Sequence, residues 1–341
     1  MKPGRRRLLI PGLLVALLVV VAVAAGVRRA EAKPSAVPPV PATKVSTIDD
    51  PRVTESSGLA ASMAHPGLAY TVNDSGHAPE VYAIDIASGR VVGVTKVKDV
   101  TWRDTEAMAL WGGKLWIADA GNNDLSRNDQ ALYVFDEPGP GNHRVTAVRY
   151  PITFQPAVNV EAMTILPGRI DLYYKGWPNS GDFVLPGALS TTQPNVARRT
   201  GRLGPAFTTD ASLSADGKYV LIRSPVVVEV HDARTWAVVH RDAVPVLAAG
   251  ETIAMESSGR SYLIGSEGSN SPLLRVAFDP ATFGGPVPDV ELETQMRSQH
   301  PVQWFLYEHR RVLGGVGAAT VAGLVAAVVA LRRARRRRRH F

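Results

Sequence analysis

The chain has 341 residues, of which 45% are hydrophobic, 20% are charged and 7% are aromatic. This composition is that of a globular protein with a full core, and it excludes a wholly disordered, collagen-like or coiled-coil chain. Because the chain contains no cysteine, disulfides, thiolate catalysis and thiolate metal sites are excluded as well.

The net charge of +7 is concentrated at the two ends of the chain. Residues 1–33 hold seven Lys or Arg and a single Glu, and residues 312–341 hold seven Arg. The part between these ends has more acidic than basic residues. We therefore expect no nucleic-acid partner, since the basic character does not belong to a folded face that could bind phosphates.

The amino-terminal end is typical of an exported protein. Residues 8–27 contain no charge over 20 positions, which as a helix spans about 30 Å, the thickness of a bilayer's hydrocarbon core. The A-x-A pattern at Ala30-Glu31-Ala32 also fits a signal-peptide cleavage site. Residues 1–32 are thus a basic cytoplasmic end with a transmembrane anchor, or a cleaved signal peptide. Residues 33–44 hold four prolines and indicate an extended linker.

Residues 45–299 contain a pattern that recurs five times, every 41 to 55 residues. Each copy opens with an acidic residue and a short apolar strand, followed by a glycine-containing turn and a second strand. Further strands complete most copies. The five opening acids are Glu55, Glu106, Glu161, Asp210 and Glu251.

Four antiparallel strands at this spacing predict the blade of a β-propeller. We therefore predict an all-β fold, a β-propeller of four-stranded blades, with five blades counted directly. Residues 45–54 and 285–299 either complete the last blade and close the ring or build a sixth blade. A solenoid of five stacked hairpins is the structural alternative.

The carboxyl-terminal end predicts a second membrane helix. Residues 300–311 are a juxtamembrane segment with aromatic side chains, residues 312–331 are uncharged, and residues 332–341 are rich in arginine. Arginines directly after an apolar stretch are expected on the cytoplasmic side. We therefore expect a protein of the cell membrane, with the lipid bilayer as a partner, the Arg-rich end in the cytoplasm and the propeller on the extracytoplasmic side.

The predicted topology places charged residues together at one mouth of the channel. The first strand of a blade lines the channel and the second runs antiparallel to it, so the start of one and the end of the other meet at the same mouth. The second strands end at Asp74, Asp119, Lys175, Arg223 and Glu267.

So many carboxylates in a narrow channel raise one another's pKa unless something neutralises them. A divalent cation such as calcium, bound through oxygen ligands, is one solution. The other is a structural ring in which Lys175 and Arg223 bridge neighbouring blades. The candidate metal ligands are Glu55, Glu106, Glu161, Asp210, Glu251, Asp74, Asp119 and Asn73.

Motifs of nucleophilic hydrolases, zinc proteases and nucleotide-binding proteins are absent from the sequence. The candidates for catalysis are therefore the channel carboxylates Glu106 and Glu161, with His77 as a possible base after the NDSG turn.

The stretches ESSGLAAS, YTVNDSG, DTEAMAL, LWIADAGNN and TTDASLSADGKYVLIRS resemble a family of exported or membrane-anchored bacterial β-propellers. The family is similar to the esterase-like domain of phytase and, more distantly, to calcium-dependent lactonase propellers. The resemblance covers about residues 50–280. It implies the propeller fold, and the lactonase-type relatives imply that channel acids and an Asn hold one calcium. Lys175 and Arg223 depart from that pattern.

Two functions follow as hypotheses. The first is a membrane-anchored binding module of the cell envelope, which presents its channel mouth to an envelope protein, a glycan or a small ligand, with or without a calcium ion in the channel. The alternative is a metal-dependent hydrolase of an ester, phosphoester or lactone.

Overall fold

The computed structural model describes residues 39–245, 247–284 and 287. These residues contain 21 β-strands and one short 3-10 helix, Pro280–Thr282, so the all-β prediction is confirmed. The strands belong to one compact unit, Ala36–Leu292. The predicted membrane segments, residues 8–27 and 312–331, lie outside the described residues. Within the described part, no helix is long and apolar enough to cross a bilayer.

The described strands form five four-stranded meanders, which we call blades. Blade 1 consists of β2 (Ser56–Ala61), β3 (Leu68–Asn73), β4 (Glu80–Asp85) and β5 (Val91–Val97). Blade 2 consists of β6 (Thr105–Trp111), β7 (Lys114–Asp119), β8 (Ala131–Asp136) and β10 (Val148–Phe154). Blade 3 consists of β11 (Val160–Leu166), β12 (Arg169–Tyr174), β13 (Ser180–Pro186) and β14 (Asn195–Gly204).

Blade 4 consists of β15 (Asp210–Leu213), β16 (Tyr219–Arg223), β17 (Val227–Asp232) and β18 (Val238–Ala243). Blade 5 consists of β19 (Gly250–Met255), β20 (Ser261–Ser266), β21 (Ser271–Ala277) and β1 (Ala42–Ile48). The short strand β9 (His143–Val145) adds parallel to β5, and β10 pairs parallel with β14, which joins blades 2 and 3 at their outer edges.

Glycine residues place the hairpins between the first and second strands. In all five blades, the glycine expected at this turn adopts a positive φ, between 64° and 91°. Residues with a side chain rarely adopt this conformation, so glycine stabilises the turn here. These glycines are Gly67, Gly113, Gly168, Gly217 and Gly259.

Strand β1 closes the ring by completing the last blade. It pairs antiparallel with β21, with Ala42 opposite Val276 and Ile48 opposite Ser271. It begins inside the segment expected to be linker, residues 33–44. The innermost strands β2, β6, β11, β15 and β19 each lie beside the next one, and β19 lies beside β2. This closed ring excludes a solenoid and gives the chain a β-propeller-like fold, in which the described strands build no sixth blade.

The hydrophobic core is divided among the interfaces between blades. Each of five buried clusters joins two neighbouring blades. One example is the cluster in which Ala107 of blade 2 packs with Met163 and Phe183 of blade 3. Another joins Ile48 of β1 to Leu59 of blade 1, across the closure. Every blade therefore depends on both neighbours for burial of its apolar faces.

Candidate functional site

Four of the five innermost strands have a β-bulge near their first residue. Ser57, Glu106 and Glu161 are each the extra residue between two regular pairs with the second strand of the blade. In β19, two residues, Glu251 and Thr252, fall between the regular pairs at the same place. A bulge redirects a side chain relative to the regular strand, and bulges are common beside functional sites.

The bulges show that the five opening acids do not occupy equivalent positions. Glu106, Glu161 and Glu251 occupy the bulge position in their blades. In blade 1, Ser57 takes this position and Glu55 lies two residues earlier. Asp210 pairs regularly with Arg223 in a strand without a bulge. The five acids thus form no uniform ring.

Three carboxylates do converge at the mouth, and we call them the acidic trio: Asp74, Asp104 and Glu106. One oxygen of each lies within 4.8 Å of an oxygen of the other two. Asp74 directly follows β3 in blade 1, whereas Asp104 directly precedes β6 in blade 2 and Glu106 is the second residue of β6. Asp104 and Glu106 are buried and Asp74 is half-buried, so the trio reaches solvent on the Asp74 side.

The electrostatics of the trio favour a bound cation. Burial, together with the neighbouring carboxylate of Asp74, raises the pKa of Asp104 to about 7. Burial also raises the pKa of Glu106 well above its usual range, with contributions from Glu161 and Asp74. Oδ1 of Asp104 is buried and has no hydrogen-bond partner. A cation would supply the missing partner and stabilise the charged carboxylates.

Two small residues allow the trio to form. Ser57 Oγ donates a hydrogen bond of 2.6 Å to Oε2 of Glu106, from one blade to the next. Gly121 lies directly against the trio, because a Cβ there would stand 2.5 Å from Cγ of Asp104 and 2.8 Å from Cγ of Glu106. A larger residue at position 121 would therefore displace both carboxylates.

Asn73 and Asp119 hold the chain that enters the innermost strand. Oδ1 of Asn73 accepts hydrogen bonds from the backbone N–H groups of Thr54 and Glu55, at 3.2 Å and 3.1 Å. In the same way, Oδ1 of Asp119 accepts hydrogen bonds from the backbone N–H groups of residues 103 and 104, at 3.2 Å and 2.8 Å.

Asp119 also forms an ion pair with the largely buried Arg127, at 3.1 Å. Asn73 and Asp119, which were both candidate metal ligands, therefore do not join the trio. Their carbonyl and carboxylate oxygens are engaged with backbone groups, and Asp119 positions Asp104 by binding its N–H.

Glu161 is neutralised by a lysine of its own blade. Nζ of Lys175 lies 2.8 Å from Oε2 of Glu161, and Nδ2 of Asn159 donates to Oε1 at 2.5 Å. Burial raises the pKa of Glu161, and Lys175 opposes this effect. Desolvation would lower the pKa of Lys175, but Glu161, Glu251 and Glu106 raise it above its usual value. Solvent screens part of this attraction, because 36% of the Lys175 side chain is exposed.

Blade 5 adds two carboxylates to the mouth. Burial raises the pKa of Glu251 to about 7, against the lowering effects of Lys175 and Arg223. Burial also raises the pKa of Glu267, with contributions from Asp74 and Glu55. These side chains increase the negative potential around the trio without belonging to it.

Asp210 and Arg223 are fully buried and connect blades instead of facing the trio. Oδ2 of Asp210 accepts a hydrogen bond of 2.8 Å from the backbone N–H of Ile253. Nη1 of Arg223 donates to the carbonyl oxygens of Thr252 and Gly265. Both side chains thus link blade 4 to blade 5, as the structural alternative for Arg223 predicts.

His77 lies at the rim, next to Glu55. Its Nδ1 is 3.2 Å from Oε2 of Glu55, and its Nε2 is 3.3 Å from Oγ1 of Thr54. The Glu55 side chain is 48% exposed. Neither residue is part of the trio.

Sequence reasoning missed Asp104. The signal was present as the short pattern D-T-E, which places a second acid two residues before Glu106. Glu55 stands at the same distance before the bulge residue of blade 1. Asp104 directly precedes β6 and Glu106 is the bulge residue of that strand, so this one segment of blade 2 supplies two members of the trio.

The fold and site together define the class of this protein, an all-β protein with a β-propeller-like fold and an acidic channel mouth. No family model matches the sequence, and no curated protein matches it. Among solved structures, glutaminyl cyclase of Myxococcus xanthus is 15% identical, with 70% of this chain and 97% of that chain covered and a TM-score of 0.45.

Two further structures are similar at lower scores. A putative 6-phosphogluconolactonase from Bacteroides uniformis is 13% identical, covering 67% of this chain and 69% of that chain with a TM-score of 0.38. Hydrazine synthase of Kuenenia stuttgartiensis is 11% identical, covering 66% and 72% with a TM-score of 0.36. Likenesses at this level carry no conclusion about function.

Proposed function

We propose that the acidic trio binds a divalent cation, with calcium the best fit, and that the cation makes the channel mouth a ligand-binding site. The observation that carries this proposal is the buried, unpartnered Oδ1 of Asp104 within 4.8 Å of carboxylate oxygens of Asp74 and Glu106. The donor set consists of oxygen atoms alone, which suits calcium and does not suit softer metals.

The half-buried side of the trio, at Asp74, leaves room for further oxygen ligands from water or from a binding partner. Calcium takes six to eight oxygens, and three carboxylates supply at most six. When bound, the cation would supply positive charge at the mouth and so attract an oxygen-rich ligand. An envelope protein, a glycan or a small ligand would meet this requirement.

The cellular setting of the proposal comes from the sequence. Two uncharged stretches of 20 residues and an Arg-rich end support a membrane-anchored protein whose propeller lies outside the cytoplasm. Calcium sites of extracellular modules work at about 0.1–1 mM, so a weak, partly open site would be filled there.

A thermal melt of the full-length chain tests cation binding. A ligand present at a hundredfold excess over its Kd stabilises the native state by about 2.7 kcal/mol, which raises Tm by several degrees. We expect calcium to raise Tm relative to chelator, magnesium to raise it less, and Asp104→Asn to abolish the shift.

Asp136→Asn is the matched control, because the Asp136 side chain is 88% exposed and far from the trio in sequence and register. Its calcium shift should equal that of the wild type. An unchanged shift in Asp104→Asn, or no shift in the wild type with any divalent ion, would refute the cation site.

A metal-dependent hydrolase is the second candidate. One observation favours it: Lys175 pairs with Glu161 and also interacts with Glu106 of the trio, so a fixed positive charge and the buried carboxylate of Glu161 adjoin the trio. A cation there would polarise a carbonyl or phosphoryl oxygen. A carboxylate such as Glu161 could then take a proton from the attacking water.

Turnover of ester, phosphoester and lactone substrates separates the two candidates. A hydrolase requires calcium-dependent turnover that falls at least about a hundredfold in Glu161→Gln, the usual loss when a general base is removed. If calcium raises Tm but no substrate is turned over, the result supports the binding module and refutes the hydrolase.

A further inference from the structure

The channel ends, on the side away from the acidic trio, in a cavity of about 390 Å³. All five innermost strands line it, through residues such as Leu59, Met108, Met163, Ala211 and Met255. Each innermost strand starts at the mouth and rises by about 3.3 Å per residue. Each of these lining residues comes after the start of its strand and therefore lies farther from the mouth. The cavity and the trio therefore lie at opposite ends of the same strands.

The wall of the cavity offers few free polar groups. Three hydroxyls line it, and each is engaged within the protein. Oγ1 of Thr164 bonds the hydroxyl of Tyr173 at 2.8 Å, and Oγ of Ser212 accepts from the backbone N–H of Met255 at 2.9 Å. Oγ of Ser214 donates to an oxygen of a neighbouring aspartate at 2.8 Å. The remaining lining side chains are nearly all apolar.

The charge of the cavity is also balanced. Asp216 is the charged residue among those that line it, and its carboxylate pairs with Lys218 at 3.1 Å. The rim carries two large apolar side chains in solvent, Met63 at 55% and Trp111 at 38% exposure. Among the described residues that line the cavity, the charged group already has a partner, and an apolar ligand would cover exposed hydrophobic surface.

We propose that this cavity is a binding site for an uncharged, apolar small molecule. Its volume lies within the range of about 300–1,000 Å³ typical of small-molecule sites. Methionine side chains adapt to ligands of irregular shape, and Trp111 supplies a flat apolar surface at the entrance. The site shares no residue with the trio, so it does not depend on the proposed cation function.

Photolabelling of the full-length chain tests the site. The probe is an uncharged aryl diazirine, with its carboxylate derivative as the charged comparison, and peptide mass spectrometry locates the label. We expect saturable labelling of residues 59–63, 108–111 and 211–217 by the uncharged probe. The carboxylate derivative should label these segments weakly and without saturation.

Ala109→Leu fills part of the cavity and should raise the half-saturating probe concentration by about tenfold. Ala87→Leu, at an exposed position outside the cavity, is the control and should have no effect. A thermal melt verifies that each variant folds. If Ala109→Leu does not, Ala215→Leu replaces it, because Ala215 lines the cavity from an exposed hairpin.

Labelling spread over the chain without saturation would overturn the proposal, and so would saturable labelling that Ala109→Leu leaves unchanged. Equal labelling by both probes would overturn the assignment of an uncharged ligand. Saturation confined to the lining segments and lost in the filled variant would support it.

Discussion

Ser57 and Glu106 are joined by a hydrogen bond of 2.6 Å between two blades, and both occupy the bulge position of their innermost strands. The serine hydroxyl donates to a carboxylate that burial has driven toward its neutral form. This contact holds one oxygen of Glu106, a residue whose carboxylate also lies close to Asp74 and Asp104, and it opposes the rise in the pKa of Glu106. It couples the packing of blades 1 and 2 to the charge state of the proposed cation site.

Ser57→Ala should therefore weaken calcium binding. Loss of a hydrogen bond to a charged group costs about 1.5–3 kcal/mol, which corresponds to a Kd roughly ten- to a hundredfold higher. Isothermal titration calorimetry measures this change.

Ser258→Ala serves as the control for Ser57→Ala, since Ser258 is exposed in the hairpin between β19 and β20. Its calcium affinity should match the wild type. Equal affinities for all three proteins would show that Glu106 does not bind the cation.

Gly121→Ala should abolish calcium binding and destabilise the fold. The new Cβ would lie 2.5 Å from Cγ of Asp104, so the carboxylate must move. Overpacking of this kind typically costs about 1–3 kcal/mol. Chemical denaturation with and without calcium measures both effects.

Gly139→Ala is the matched control, because its Cβ would meet the nearest atoms of His65 at 3.8 Å, an ordinary contact distance. Its calcium response should be retained. A Gly121→Ala variant with normal calcium affinity would contradict the position assigned to the trio.

The pH dependence of stability should show the raised pKa of Glu251. In the folded state its pKa is about 7, compared with an ordinary value of 4.5. The folded state thus binds a proton that the unfolded state has released, so this group lowers the free energy of unfolding as pH rises from about 4.5 to 7. Above that range its contribution is constant.

Glu251→Gln should remove this contribution, because the amide does not titrate. The measurement compares the free energy of unfolding at pH 5 and pH 8, in chelator, for the two proteins. The wild type should lose more stability between these pH values than the variant. Identical losses would show that the pKa of Glu251 is ordinary.

Ile48→Ala should test the closure of the ring. Ile48 is 1% exposed and packs between blades 5 and 1. Truncating a buried isoleucine costs about 2–5 kcal/mol. Val92→Ala, at a position 37% exposed, should cost far less. If both variants lose the same small amount in denaturant unfolding, β1 does not close the propeller as described.

The repeating strands and their turns were predictable from the sequence because both depend on neighbouring residues. Glycines such as Gly113 and Gly217 adopt the positive φ that the hairpin turns require. Alternating apolar residues mark the strands on either side of these turns. Local chemistry of this kind is written directly in the order of residues. The acids near the start of each innermost strand were visible for the same reason.

Which of those acids meet was decided by tertiary structure alone. A single bulge residue shifts the strand register, and this shift separates Glu55 and Asp210 from the position of Glu106. Asp104 approaches Asp74 only because blades 1 and 2 pack side by side, and β1 closes the ring only by pairing with a strand more than 200 residues away. Such contacts depend on packing between distant segments, which no short stretch of sequence specifies.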